Sequence, residues 1–285
     1  MRSYTWKTVY PTIVRMNRTL PRTGRKCQFH DTLIVAMYLW SVIHDRPMCW
    51  AADRANYYGP FRPRRLPSRS QFCRRIASPR CEALLRVVQR ELASRPEGPG
   101  IFLLDGRALT VGPYTQDRDA GKGFVSGGFA WGYKLHALTD LQGYVVAWRV
   151  TPLNVSEKTV AFELIEEARP QGWVLADGNY DAGALYDHTL ARGAMLLTPL
   201  PKNAGGGHHP QSPVRRRAAK LWEHGAEQLY RLRPTIERQF SQQSCYGGGL
   251  GPLPAWVRTL PRVRRWVGTK LMLYHVRLSL REAVA

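Results

Sequence analysis

Residues 33–43 (LIVAMYLWSVI) form the longest nearly unbroken apolar run in the chain, and their length and composition predict a buried helix. Cys81, Leu84, Leu85, Val88 and Leu92 recur at helical spacing and predict a second helix. Between them, Leu66-Pro67-Ser68 leads into 69–76, a capped helix start carrying Arg69, Arg74 and Arg75. A basic helix of this kind suits a DNA-reading element of helix-turn-helix type, and a solvated helix face accounts for it equally well. Residues 1 to about 95 therefore read as one helical domain, closed by the linker composition RPEGPG at 95–100.

After that linker the period changes. Ile101-Phe102-Leu103-Leu104 is a short apolar strand expected to end at Asp105-Gly106. Residues 132–139 (GYKLHALT) and 144–151 (YVVAWRVT) are two strand-like runs joined by the turn Asp140-Leu141-Gln142-Gly143. Ser156 can cap a helix bearing Val160, Leu164, Ile165 and Ala168. Trp173-Val174-Leu175-Ala176 is another buried strand, ending at Asp177-Gly178, followed by a helix near 182–192 and a strand at 195–198. The stretch 199–217 is turn-rich and basic and reads as a mobile loop, and 218–283 is helical apart from a Gly/Pro break at 247–254. Residues 96–285 thus predict a mixed α/β domain whose parallel strands are linked by helical crossovers.

Charge changes the picture. Forty-two Lys and Arg stand against 21 Asp and Glu, a formal net charge of +21. A polyanionic partner is the simplest physical reason, because neutralising phosphates releases condensed counterions. A basic structural or membrane-surface protein satisfies the same number. No run approaches the roughly 20 apolar residues that a bilayer-spanning helix needs. Five cysteines, an odd count without a C-x-x-C pair, argue against a zinc or disulfide framework. With no apolar signal region at the N-terminus, the expected compartment is the cytoplasm.

Candidate chemistry then concentrates on carboxylates. Two strands end in Asp-Gly, and if they lie parallel and adjacent, Asp105 and Asp177 emerge at one sheet edge. Hard oxygen donors so placed suit Mg²⁺, and a pair of ions roughly 4 Å apart can serve both oxygens of a phosphodiester. Glu237 is the best third carboxylate. Tyr230, Arg233 and Glu237 fall at i, i+3 and i+7, beside an apolar stripe of Leu229, Leu232, Ile236 and Phe240. Pro234 interrupts that pattern, so the helix either kinks there or begins there with Glu237 in its first turn.

These residues resemble the bacterial insertion-sequence DDE transposases, in particular the IS-four/IS-five superfamily with the Y-R-E signature. Asp105 matches the family's first Asp, Asp177 within ADGNYD its second, and Tyr230, Arg233 and Glu237 its third block. Gly132–His136 resembles the strand after the first Asp, and Thr151–Val155 the threonine-to-asparagine turn. The match covers roughly 100–280. It implies an RNase H-like catalytic domain and a helical N-terminal DNA-binding domain. It also implies two Mg²⁺ ions held by Asp105, Asp177 and Glu237, with Mn²⁺ as a substitute. The partners implied are double-stranded element ends and target DNA, engaged by a homodimer on the bacterial nucleoid. Tyr230, Arg233, Lys134 and Arg238 would contact DNA. The signature's final Lys falls on Ser244, so the backbone contact it implies is either missing or supplied by Arg238. The short separation between Asp177 and Glu237 leaves room for only a small inserted domain.

Other readings stay open at this stage. One is a catalytically decayed or host-adopted RNase H-like nuclease or DNA-binding protein. Another is a basic structural protein with incidental carboxylates. Paired carboxylates of a glycosidase are disfavoured by the charge. Lys134 suits either a backbone contact or a solvated strand position. His136 reads as a hydrogen-bonded strand histidine, His208-His209 as solvated, and Arg215 to Arg217 as nonspecific DNA contacts. Gly121-Lys122-Gly123 lacks the Walker spacing.

Overall fold

The computed structural model describes residues 2–21, 27–93, 100–199, 212–245 and 249–282, without the side chains of residues 2–4. The linker at 95–99 and residues 200–211 of the basic loop, His208 and His209 included, lie outside the described residues. Two compact units are present: Met1–Arg95 with Tyr246–Leu250 and Arg265–Ala285, and Pro96–Cys245 with Gly251–Arg264.

The first unit is helical. It holds α1 (Arg2–Thr19), α2 (Asp31–Ile43), α3 (Arg69–Ile76), α4 (Pro79–Ala93) and the C-terminal helical residues 265–282. Every residue of α2 from Ile34 to Ile43 is buried, as its unbroken apolar run predicts. Trp6 of α1 packs against Trp40 and Phe61 at ring separations of 5.0 and 4.8 Å. Ser68 and Gln71 form a reciprocal capping box at the start of α3. Asp31 draws in Arg75 at 2.7 Å and Arg80 at 3.3 Å, while Arg69 and Arg74 stay exposed.

The second unit is mixed α/β. Its elements are β1 (Gly100–Thr110), β2 (Gly121–Val125), β3 (Gly128–Asp140), β4 (Val145–Pro152), α5 (Glu157–Ala168), β5 (Gly172–Ala176), α6 (Gly183–Ala191), β6 (Ala194–Leu197), α7 (Pro213–Glu223), α8 (Ala226–Tyr230) and α9 (Thr235–Cys245), followed by the start of α10 (Leu260–Glu282). The sheet runs β2-β3-β1-β5-β6, and β4 also pairs with β3. Because β2 meets β3 at 128–132 and β4 meets it at 133–139, the body of the sheet is β4-β3-β1-β5-β6. β3 is antiparallel to β1 and β4, whereas β1, β5 and β6 are parallel, the RNase H-like arrangement. The core lies where α5 and α6 cover the sheet, with Leu104, Leu138, Val160, Leu164, Val174, Tyr186 and Leu196 buried.

Three local expectations are corrected, and one strand is added. β1 does not end at Asp105-Gly106 but continues to Thr110, because β3 pairs with it from Phe102↔Asp140 to Thr110↔Gly132. Gly121-Lys122-Gly123 is strand. Its glycines hide the alternation and are needed, since a Cβ on Gly123 would stand 2.8 Å from the Leu153 carbonyl oxygen. Ser156 occupies the N-cap position of α5 without a side-chain cap bond. Residues 213–217 are helical rather than loop, capped by the Ser212 hydroxyl accepting from Val214 and Arg215. Among the described residues, no helix is long and apolar enough to cross a membrane.

Candidate active site

Strand register explains why two distant aspartates are neighbours. β1 and β5 are parallel and pair up to Leu104↔Ala176, so the next residue on each strand is Asp. β5 stops there because Asp177 turns inward on its own chain, its Oδ1 accepting from the Asn179 N–H at 2.8 Å. Asp105 Oδ1 accepts from the Gly106 N–H at 2.8 Å.

The third segment arrives through α9. Pro234 ends the preceding turn, and the helix begins at Thr235 with Glu237 in its first turn. This is the second of the two alternatives that Pro234 left open. α9 is anchored to the sheet by buried Ile236 and Phe240, by Arg107 donating to the Phe240 carbonyl at 2.7 Å, and by Gln239. The Gln239 side chain accepts from Thr139 at 2.6 Å and donates to the Asp140 carbonyl at 2.8 Å.

Between these three segments lies the Arg233 guanidinium. It stands 3.1 Å from Asp105 Oδ2, 3.7 Å from Asp177 Oδ2 and 2.8 Å from Glu237 Oε1. The Arg233 side chain is 13% exposed and Asp105 15%, against 31% for Asp177 and 66% for Glu237. Asp105, Asp177, Glu237 and Arg233 are thus brought together. Tyr230 joins them indirectly, donating from its hydroxyl to the Ala176 carbonyl at 3.2 Å, one residue before Asp177. Arg238 is exposed and bonds Thr235 at 3.0 Å, and Ser244 donates to the Phe240 carbonyl at 2.9 Å. Arg69, Arg74 and Arg75 belong to the other unit.

Two residues escaped sequence reasoning. Glu157, in the first turn of α5, pairs with Lys134 at 2.6 Å, and both side chains are largely buried. The pair covers Gly106, where a Cβ would meet Glu157 Oε1 at 2.8 Å and Lys134 Cδ at 3.1 Å. Tyr180 is fully buried, its hydroxyl has no hydrogen-bond partner, and it lies within electrostatic reach of Glu157, Asp105 and Asp177. The available signals were weak: Glu157 follows the 151–155 turn by two residues, and Tyr180 lies inside ADGNYD. The Lys134 ammonium is therefore held by Glu157, and Arg215 is held by Asp181 through two bonds of 2.7 Å. Neither side chain is a free surface cation.

Lys134→Ala leaves Glu157 partly buried without its partner and should lower the unfolding free energy in urea by about 2 kcal/mol. The double change Lys134→Ala/Glu157→Gln should recover most of that loss. Additive losses from the two single changes would show that the pair is not coupled.

Electrostatics follow from burial. Burial pushes the Asp105 carboxyl up to about 6, opposed by Arg233 and the Gly106 N–H, with the charges of Asp177 and Glu157 adding to the rise. Asp177 is raised too, first by burial, with the Asn179 N–H and Arg233 opposing. Burial lowers His136 to about 4, so its ring is neutral at physiological pH, and its Nε2 meets the Thr151 hydroxyl at 2.9 Å.

Divalent cations are implied by the family resemblance, and the chemistry of the donor set suits one. The carboxylates supply only hard oxygens, a guanidinium already stands among them as a cation, and the Tyr180 hydroxyl and Arg233 Nε are buried without partners. Among the described residues, no group of three His, Cys, Asp or Glu stands close enough together to hold a metal ion.

Comparison with known proteins gives three results. No curated protein matches the chain. Among solved structures, a piggyBac transposase synaptic complex with hairpin DNA matches at 9% identity and TM-score 0.45, over 94% of this chain and 72% of that one. A simian T-cell lymphotropic virus intasome in complex with the PP2A regulatory subunit B56 gamma matches at 11% identity and TM-score 0.24, over 69% of each chain. Likenesses this distant carry no weight here. The family model of the transposase DDE domain, however, matches residues 96–245, more than half of the chain and all three carboxylate segments. The chain belongs to the transposase DDE domain family and is a DDE transposase.

Proposed function

We propose that this transposase cuts DNA at the inverted-repeat ends of an insertion sequence and joins those ends to target DNA, using Asp105, Asp177 and Glu237. The observation that carries this reading is the convergence of three carboxylates, far apart in sequence, on the single guanidinium of Arg233. Asp105, Asp177 and Glu237 would hold Mg²⁺, as two ions, with Mn²⁺ able to replace it. Such ions, when bound, make an attacking water or 3′-hydroxyl more nucleophilic and stabilise the leaving oxygen of the phosphodiester.

The chain's own residues do the remaining work. Asp105 must be ionised to act as a ligand, which burial opposes and a nearby cation favours. Arg233, once released from the carboxylates, is placed to hold a non-bridging oxygen of the scissile phosphate. Tyr230 holds the end of β5 through Ala176 and so fixes Asp177. The Lys134–Glu157 pair packs over Gly106, next to Asp105 in β1. Positioning and charge stabilisation dominate such chemistry.

Exposed Arg69 and Arg74 on α3 would bind DNA phosphates, with Arg238 contributing from α9, while Arg75 steadies α3 through Asp31. Two copies of the chain would hold the two element ends, in the cytoplasm on nucleoid DNA. The test uses purified protein and a supercoiled plasmid carrying the coding segment with its natural flanks. Nicked and linear products should form with Mg²⁺ or Mn²⁺ and vanish with chelator. Products of equal yield in chelator would contradict the reading.

A further inference from the structure

β2 and β3 form a hairpin closed by Gly127 and Gly128, both at positive φ. Its two faces differ completely. One carries Gly121, Gly123, Val125, Ala130 and Gly132, and added side chains would collide with Asn154 at Gly121, with Leu153 at Gly123 and with the Leu109 carbonyl at Gly132. On the other, Lys122 stands opposite Trp131 and Phe124 opposite Phe129. Those aromatics are open to solvent: Phe124 is 72% exposed, Phe129 73% and Trp131 41%. The two phenyl rings meet edge to face at 5.7 Å, and the Lys122 ammonium lies 5.6 Å from the centre of the Phe129 ring. An ordered apolar face of this kind, uncovered among the described residues, marks an interaction surface.

Place and charge select the occupant. Thr110 pairs with Gly132, so the hairpin continues the sheet beyond the end of β1, on the side where β5 stops at Asp177. Asp105 and Thr110 are separated by roughly 17 Å of strand, at about 3.4 Å per residue. From Ala120 to Thr139 the chain carries Lys122 and Lys134 and no Asp or Glu. The nearest acids before it are committed: Asp117 accepts from the Tyr133 hydroxyl and the Thr259 N–H, and Asp119 from the Leu260 N–H. The face thus carries one lysine and no acid beside its three aromatics, within a chain of net charge +21.

We infer that this hairpin face docks DNA: a duplex whose phosphate reaches the carboxylates lays a groove against Phe124, Phe129 and Trp131, with Lys122 on a neighbouring phosphate. This rests on the proposed strand-transfer function and extends it to a named contact surface. A two-stranded ribbon fits a major groove about 12 Å wide. Aromatic faces against sugars and bases add affinity without charge.

The experiment is fluorescence anisotropy with a short labelled duplex of arbitrary sequence, titrated at several salt concentrations. Phe124→Ala/Phe129→Ala should bind about tenfold more weakly with an unchanged salt slope, since no charge is removed. Lys122→Ala should reduce the salt slope by about one. Circular dichroism should show both variants folded, because the altered side chains are exposed. Parent-like affinity and slope in both variants would overturn the hairpin assignment while leaving the proposed function intact. A loss of affinity that tracks a shift from dimer to monomer in light scattering would also overturn it, making the face a protein interface. Failure of the parent itself to bind DNA would sink both readings.

Discussion

Asp105→Asn should melt at a higher temperature than the parent at pH 8 and yet lose at least about a thousandfold in metal-dependent DNA cleavage. The two effects have one cause. Burial raises the Asp105 carboxyl to about 6, well above its ordinary value near 3.8, so holding it ionised works against folding. The sign is fixed by the direction of that shift. The contribution of the protonated carboxyl is fully present below about 4 and is lost as pH rises through about 6. At pH 8 the parent carries the full penalty and the amide none, so the variant gains about 1–2 kcal/mol. Below pH 4 the two should converge. Catalysis moves the other way, because an amide is a poor ligand for a hard cation. Losing several kcal/mol of charge stabilisation corresponds to three or more powers of ten in rate. Cleavage by the parent should rise with pH through about 6. Scanning calorimetry across pH and a plasmid-nicking time course check the two halves independently. A variant that is destabilised at pH 8 would refute the electrostatic half, and one that still cuts would remove Asp105 from the chemistry.

Arg233→Ala is the second large effect, and cations should reverse part of it. The parent guanidinium sits among Asp105, Asp177 and Glu237. Removing it leaves two poorly solvated carboxylates facing each other, which should cost about 3 kcal/mol of stability in chelator. Millimolar Mg²⁺ or Mn²⁺ should restore much of the loss, since a ligand at a hundred times its Kd stabilises by about 2.7 kcal/mol. The parent should gain less from the same cations, because they must first displace Arg233. Cleavage should still fall on the order of a hundredfold, since the phosphate loses its clamp. Chemical unfolding with and without cation measures this. If the variant matched the parent in chelator, or ignored cations, the carboxylates would not form a shared site.

The legible part of this architecture was written in apolar runs and in the residues that end them. Residues 101–104 and 173–176 are apolar and each precedes an Asp, so one assumption, that the strands pair in parallel, brought the two aspartates together. Helical spacing singled out Arg233 and Glu237, yet they share no continuous helix: Arg233 lies in the turn between α8 and α9, and Pro234 marks where α9 starts. β2 was hidden because its inward face is glycine and its outward face is lysine and phenylalanine, the reverse of an ordinary half-buried strand. β1 ran past Asp105 because a long antiparallel partner held it, a non-local cause. Glu157 and Lys134 are far apart in sequence, and their meeting over Gly106 depends on the packing of α5 against the sheet. Arg215 in α7 looked like a loop cation because Asp181, its partner, lies more than thirty residues earlier.

The most direct measurement counts Mn²⁺ bound to purified protein by electron paramagnetic resonance, comparing the parent with Asp105→Asn/Asp177→Asn. The account predicts that Mn²⁺ binds the parent, more tightly when DNA is present, and that the double variant takes up none at the same concentration. Equal binding by both proteins would place the cation elsewhere and contradict the claim that these carboxylates share a metal site.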